Sequence, residues 1–551
     1  VSSVYVYGSL RGRYPIERIA YSEARRAAVI STTKSFLPGE RICTTLTDQI
    51  QMTQNALPIG WCFHVAFQRS RLRWTPHGNL RLNGSGAGLV AGDFAGRDVS
   101  QVAVTSYEDG SVMTLERSVN GFVSAPTAVY FDNKNFTGRQ QSAVVDAIDF
   151  DFGNGAPREG MGADTFSIRF TGKIKTAEAG NYRFMTESDD GVRLWINNQK
   201  VIDQWNDHGP RLDTGEVRLA ANTVYNLRLD YYENGGGAVI RLFWQPPGAA
   251  QRSGIQTAGA FVPGRSWAAG PGPFAATAGD WNLDGRLDMM VVNYSPNGAV
   301  YYLKNNGNGF DRVHAHSAGD DPREIISGDL NLDGLPDVIV ANSGNNTVSV
   351  FYGDGDGIGG RPQLIRTGGF VQSVAMDDVD GDGDFDLLMV TEDPDALEVH
   401  LNQIRNGRSE FVSAGNYKTV QTPQRVRVAD IDMDGDADVL VSTNSLVLRF
   451  INNASGGLTL MDPLKVDAGT EALHVADVNG DGVPDVLSAS REAGTVQLYT
   501  GRGQARFNQP VLLKADVDPA ALVVTDVDGD SVADLIISHM YRGRVLLFLQ
   551  N

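Results

Sequence analysis

One nine-residue phrase restricts the possible folds of this chain more than any other feature. In Asp378-Val379-Asp380-Gly381-Asp382-Gly383-Asp384-Phe385-Asp386, carboxylates stand at positions 1, 3, 5 and 9 and a glycine at position 6. Those four positions are also filled by Asp280, Asn282, Asp284 and Asp288, by Asp329, Asn331, Asp333 and Asp337, and by Asp430, Asp432, Asp434 and Asp438. Two further copies carry Asp477, Asn479, Asp481 and Asp485, and Asp526, Asp528, Asp530 and Asp534. Alternate residues of a tight loop turn their oxygens into one concavity, and the glycine lets the chain fold back; calcium loops present hard oxygen ligands in this way. A single match would carry little weight, but six in register predict about six bound Ca2+ ions. In the last copy Ser531 replaces the glycine, which puts the geometry of that loop in question.

The loops begin 49, 49, 52, 47 and 49 residues apart, the spacing of a repeat architecture. After each loop comes an apolar run such as Asp337-Val338-Ile339-Val340-Ala341-Asn342, then a polar turn and an alternating run such as Thr347-Val348-Ser349-Val350-Phe351-Tyr352, which reads as strand, hairpin, strand. A large apolar residue (Phe261, Phe310, Phe411, Leu458 or Phe507) stands nineteen positions before five of the six loops and marks a fourth strand; Gly359 is the exception. Four antiparallel strands per repeat predict β-propeller blades. Gly92-Asp93-Phe94 aligns with Gly328-Asp329-Leu330 and opens a seventh, worn copy, in which Ala95, Arg97 and Gln101 have replaced the ligands and no ion is expected.

The expected fold is therefore all-β: a seven-bladed propeller with an insertion. Gly121-Phe122 and Gly259-Ala260-Phe261 read as one strand start met twice, which places the inserted domain between blades one and two. The last copy has only three strands, so the strand around Trp74 is expected to complete it and leave no exposed edge. The expected domains are an N-terminal extension at 1–69, a closing strand and first blade at 70–124, the insertion at 125–252 and blades two to seven at 253–551. The loops and strands resemble the FG-GAP or VCBS repeats of integrin α-type propellers and bacterial surface proteins, a resemblance that covers about 340 residues.

The net charge of −19 is matched by the 21 carboxylates at the loop positions, and six divalent ions would bring it to −7. The acidity thus reads as metal ligation, and nucleic acid is not an expected partner. No apolar run reaches the ~20 residues of a membrane span. A secreted or cell-surface location is expected. There Cys43 and Cys62 would close a disulfide loop worth roughly 3 kcal/mol, the alternative being two buried thiols. Residues 1–69 carry Arg11, Arg13, Arg18, Arg25, Arg26 and Arg41, and Ser22-Glu23-Ala24-Arg25 could open a helix running to Ile30. This segment reads either as an arm that docks on a fibre or another protein subunit, or as an arm packed on the chain itself.

The insertion alternates as a β-sandwich does, through Asp164–Phe170, Gly180–Phe184, Asp189-Asp190-Gly191 with Val192–Asn197, and Leu227–Gly237. It resembles the lectin-like domain named after the fourteen-kilodalton fragment of anthrax protective antigen, found also in yeast flocculins and bacterial adhesins. The resemblance implies that Asp189 and Asp190, joined by a cis peptide, hold calcium and that Glu233, Asn234 and Gly235 complete a glycan site. Asp-Asp-Gly is equally a plain turn sequence. Trp205 ends an alternating strand and is assigned to the core. There is no His-Glu-x-x-His or Gly-x-Ser-x-Gly, and Gly355-Asp356-Gly357-Ile358-Gly359-Gly360 sits in a hairpin bend with Pro362 where a phosphate-binding helix should begin. No catalytic residue is expected. The resemblances imply a calcium-dependent adhesin or lectin for surface glycans or glycoproteins; a protein-binding scaffold and part of a glycoside-active system are the alternatives.

Overall fold

In the computed structural model the described residues are 4–10, 12–13, 16–22, 27–38, 40–46, 59–64, 74–82, 85–95, 100–117, 121–123, 126–145, 147–249, 252–255, 261–405, 407–420, 422–453, 457–541 and 543–550. They are all-β, and the only helical element among them is the 3₁₀ turn Ser343–Asn345. Among the described residues no helix is long and apolar enough to cross a membrane. The chain divides into two compact units, one of 1–76, 80–115 and 263–551, the other of 77–79 and 116–262.

The first unit contains seven four-stranded sheets built from the repeats. In the third, Pro322–Gly328, Asp337–Asn342, Thr347–Phe351 and Gln363–Arg366 follow one another as neighbours. Its second strand is buried at all six positions, so it reads as an unbroken apolar run; outer strands such as Phe310–Ser317 expose most of theirs. The fourth strand of this sheet forms even without the apolar marker replaced by Gly359. First strands of consecutive sheets pack side by side, and Pro519–Thr525 of the last sheet packs on Gly86–Gly92 of the first. All seven first strands line one cavity of about 410 Å³. In the last sheet, Trp74–Arg81 is the fourth strand, beside Arg544–Gln550.

The insertion point differs from the expected one. Phe261–Ala268 is the fourth strand of the first sheet, next to Ser111–Arg117, so the insertion interrupts that sheet between its third and fourth strands instead of falling between two sheets. Gly121-Phe122 is no abandoned copy of that strand, because it pairs with Ile174 and Lys175 inside the second unit. In the worn seventh copy Asp93 is buried, while Arg97 lies outside the described residues.

Near the N-terminus, Val4–Gly8, Gly12–Arg13, Arg41–Leu46 and Ile59–His64 form a small sheet. The helix expected from Ser22 to Ile30 is replaced by a hairpin in which Ile16–Ser22 pairs with Ala27–Thr32. The Ala27-Ala28-Val29-Ile30-Ser31-Thr32 run, rich in β-branched residues, fits a pleated strand better than a helix and overrides the capping signal. The register sets positions 43 and 62 directly opposite each other. Arg11, Arg25 and Arg26 lie outside the described residues. This segment packs on the loop-bearing end of the repeats: the Asp93 amide donates to the Leu10 carbonyl, and Arg41 pairs with Asp377 at 3.0 Å.

In the second unit a sheet containing Thr127–Phe131, Phe166–Thr176, Thr223–Glu233 and Val192–Ile196 faces one containing Asp149–Gly153, Ala238–Gln245, Gly180–Asp189 and Arg211–Leu219. Both contribute to one apolar core, with Phe166, Phe170 and Tyr231 from the first and Phe184, Ile240 and Trp244 from the second.

Candidate functional site

The six loops share one construction. The carboxylate at position 1 accepts the loop's own amides; Asp280, for example, takes those of Asp284 and Gly285 at 3.0 and 2.9 Å. Position 5 accepts the amide two residues on, as Asp434 does from Asp436 at 3.0 Å. Position 9 opens the second strand and is fully buried in every loop, at Asp288, Asp337, Asp386, Asp438, Asp485 and Asp534. Asp386 accepts the amides of Val379 and Asn402 at 2.9 and 2.8 Å, tying the loop to the end of the third strand. Burial pushes the carboxyls of Asp288, Asp386, Asp485 and Asp534 up to about 7 and that of Asp438 to about 6, and raises Asp337 well above the usual range.

In three loops the carboxylates at positions 1, 3 and 9 (Asp378, Asp380, Asp386; Asp430, Asp432, Asp438; Asp526, Asp528, Asp534) converge within 4.8 Å. The other three carry Asn282, Asn331 and Asn479 at position 3. The position 5 carboxylates Asp284, Asp333, Asp382, Asp434, Asp481 and Asp530, expected as ligands, fall outside those clusters, and Asp284 is paired with Arg286 at 2.6 Å. Position 6 is left-handed throughout, with φ of 82° at Gly285 and 67° at Ser531. Ser531 thus keeps the turn, and its amide donates to Asp526 at 2.8 Å as glycine does elsewhere. Position 4 is left-handed too, even at Leu283, Leu332 and Met433, a feature the sequence pattern did not suggest.

In the inserted domain the strand Gly180–Asp189 ends in a cis peptide between Asp189 and Asp190. Oxygens of Asp189, Asp190 and Glu233 lie within 4.8 Å of one another. The amides of His208 and Asn234 donate to the two oxygens of Asp190 at 2.7 and 2.8 Å, and the Tyr231 hydroxyl donates to the Asp189 carbonyl. Glu233 is fully buried and its Oε1 has no hydrogen-bond partner. Burial, then the charges of Asp190 and Asp189, push its carboxyl to about 7, against the opposing pull of the Gly235 amide and the Tyr231 hydroxyl. Burial and the neighbouring Asp190 also raise Asp189. Three crowded carboxylates and an unpartnered buried oxygen suit a hard cation, and each oxygen keeps a lone pair for one.

The side chain of Asn234 is already engaged, by Lys134 at 2.6 Å and by Asp207 at 2.6 Å; its contribution to the site is its amide. Asp207 also accepts from Tyr232 at 2.7 Å, so the 207–208 loop is a third wall that sequence reasoning missed. No motif marks it, because it approaches Asp190 only through the fold. Gly191 is required here: a Cβ at that position would stand 2.1 Å from the Tyr232 ring. Trp205, assigned to the core from sequence, is only half-buried. Phe136 stacks on it at 5.8 Å and the Arg193 guanidinium lies over its ring at 4.5 Å, so its ring is engaged within the domain.

Residues 124–258 match the PA14 domain, and 280–340, 329–389, 378–441 and 477–537 match the FG-GAP-like repeat. Among curated proteins, the anti-sigma-I factor RsgI3 of Acetivibrio thermocellus is 34% identical over 125 residues, 23% of this chain and 19% of that protein. The chain thus spans about a fifth of the length of the curated relative it matches. Similar solved structures include an anti-sigma factor domain-containing protein from Clostridium clariflavum, 19% identical over 44% of this chain and 99% of that one, with a TM-score of 0.24. The PA14 sugar-binding domain from an RTX adhesin is 19% identical over 25% of this chain and 99% of that one, with a TM-score of 0.22. The chain carries a PA14 domain together with FG-GAP-like repeats.

Proposed function

We propose that this protein is a secreted or cell-surface, calcium-dependent carbohydrate-binding protein of the adhesin type, with the PA14 domain as its glycan-binding head. The observation that carries the reading is the convergence of Asp189, Asp190 and buried Glu233, with its unpartnered oxygen, in one wall of that domain. A calcium ion there would leave coordination positions for two adjacent sugar hydroxyls. The chain's own part is to orient the carboxylates: the amides of His208 and Asn234 fix Asp190, and Tyr231 fixes the turn. The seven sheets are read as a calcium-stabilised seven-bladed propeller, supported by their side-by-side first strands and by the pairing of Trp74–Arg81 with Arg544–Gln550. In its loops, positions 1, 3 and 9 would hold the ions. We read the chain as non-catalytic, and residues 1–69 as a packed arm, since Leu10 and Arg41 contact the repeats.

The test is calorimetry on the whole chain against a panel of neutral glycans, with calcium, with chelator, and with Asp190→Ala. Binding should require both the ion and Asp190. Binding that survives chelation and the substitution would refute the calcium bridge, and no binding to any glycan would favour a protein-binding scaffold.

A further inference from the structure

The cavity lined by the seven first strands contains more positive charge than its own carboxylates neutralise. Three carboxylates line it, and each already has an arginine: Asp377 with Arg41 at 3.0 Å, Glu324 with Arg427 at 3.0 Å and Glu471 with Arg491 at 2.8 Å. Two lining arginines remain. Arg425 donates to the carbonyls of Gln372 and Gln424 at 3.4 and 3.1 Å, and among the described residues no carboxylate lies within ion-pair distance of it. Arg323 likewise has no carboxylate, and its buried Nε has no hydrogen-bond partner. Desolvation pulls the Arg425 guanidinium below its ordinary value; the charges of Glu324 and Glu471, beyond ion-pair distance, oppose this, and those of Arg427 and Arg323 pull the same way as desolvation. Four arginines thus line the cavity against three carboxylates, and in a chain of net charge −19 a concavity with surplus positive charge and two guanidinium groups outside any ion pair is out of character.

Both arginines are half-buried, Arg323 with its guanidinium over the Tyr294 ring at 5.8 Å, and a planar carboxylate is the group a guanidinium fork fits. A cavity of about 410 Å³ is in the range that holds small ligands. We propose that this cavity is a second binding site, for a small molecule bearing a carboxylate, which Arg425 and Arg323 hold. Hexuronic acids and acidic amino acids share the required chemistry. The site is independent of the PA14 domain, where hydroxyls rather than a carboxylate would be recognised.

Calorimetry on the calcium-saturated whole chain with D-glucuronate, L-glutamate and D-glucose tests it. Glucuronate, glutamate or both should bind and glucose should not, the pair of acids telling an acidic sugar from an acidic amino acid. Arg425→Gln should weaken binding at least about tenfold, the loss expected for a hydrogen bond to a charged group. Arg323→Gln should also weaken it, and Arg425→Lys should restore part by keeping the charge without the fork. Melting curves of each variant establish that it is folded; if Arg425→Gln does not fold, Arg323→Gln and the glucose control decide. Equal binding of glucose and glucuronate, no binding of either acid, or unchanged affinity in the folded glutamine variants would overturn the proposal.

Discussion

Removing calcium should make the stability of this protein depend on pH in an unusual direction, and the size of the effect follows from the carboxylates at position 9. Asp386 is fully buried and its carboxyl rises from the usual 3.8 to about 7, chiefly through desolvation, with Asp288, Asp485 and Asp534 alike. A raised folded-state pKa means that the folded chain holds the proton more tightly than the unfolded one. The stabilising protonation is complete below about pH 4 and is lost as pH rises through about 7. Three units at 1.36 kcal/mol each set an upper limit of about 4 kcal/mol for each position 9 carboxylate. Calcium bound as proposed would substitute for the proton and reverse the trend, adding roughly 2.7 kcal/mol per site at a hundredfold excess over Kd. Thermal melts at pH 5.5 and 8, with calcium and with chelator, are the assay. The chelated protein should melt several degrees lower at pH 8 than at pH 5.5, and the calcium increment should be larger at pH 8. A chelated Tm that does not change between these pH values, or a calcium increment that does not shrink on acidification, would refute the argument.

Asp378→Ala should lower the calcium-loaded Tm more than Asp382→Ala, because Asp378 belongs to the converging cluster and accepts the Gly381 and Gly383 amides whereas Asp382 stands outside it; parallel melts decide. Gly191→Ala should cost the inserted domain about 1–3 kcal/mol by driving a methyl into the Tyr232 ring, read from denaturant midpoints of the whole chain. Joining Arg117 directly to Phe261 with a short turn should leave the remaining chain folded and melting cooperatively, because the two strands are already hydrogen-bonded neighbours; an aggregating product would contradict this. Deleting 1–81 should expose the edge of Arg544–Gln550 and cause concentration-dependent aggregation measurable by light scattering, whereas deleting 1–60 should be milder.

The repeat was legible because its signals are local and redundant: a fixed loop phrase, a buried second strand and a regular spacing. The wall made by Asp189, Asp190 and Glu233 was legible through the resemblance of those residues to a known domain. What the sequence could not show depended on context. Nothing in the phrase distinguishes Asp386 from Asp382, yet strand entry buries one and leaves the other outside the cluster. Gly121-Phe122 imitates Gly259-Ala260-Phe261 in composition, and only its pairing with Ile174 and Lys175 shows that it belongs to the insertion. Asp207 reaches the Asp190 wall from a loop with no motif, through Tyr232 and Asn234.

Drawing one sheet from residues 74–81 and 544–550 sets a timetable for biosynthesis. At translation rates of ~5–20 residues per second, the early strand waits roughly 25–95 s before its neighbour has even been made. The six other sheets can assemble during that interval, each from chain already at hand, apart from the pause imposed on the first by its insertion. Folding of the last sheet therefore joins two strands whose synthesis is separated by more than 450 residues of chain.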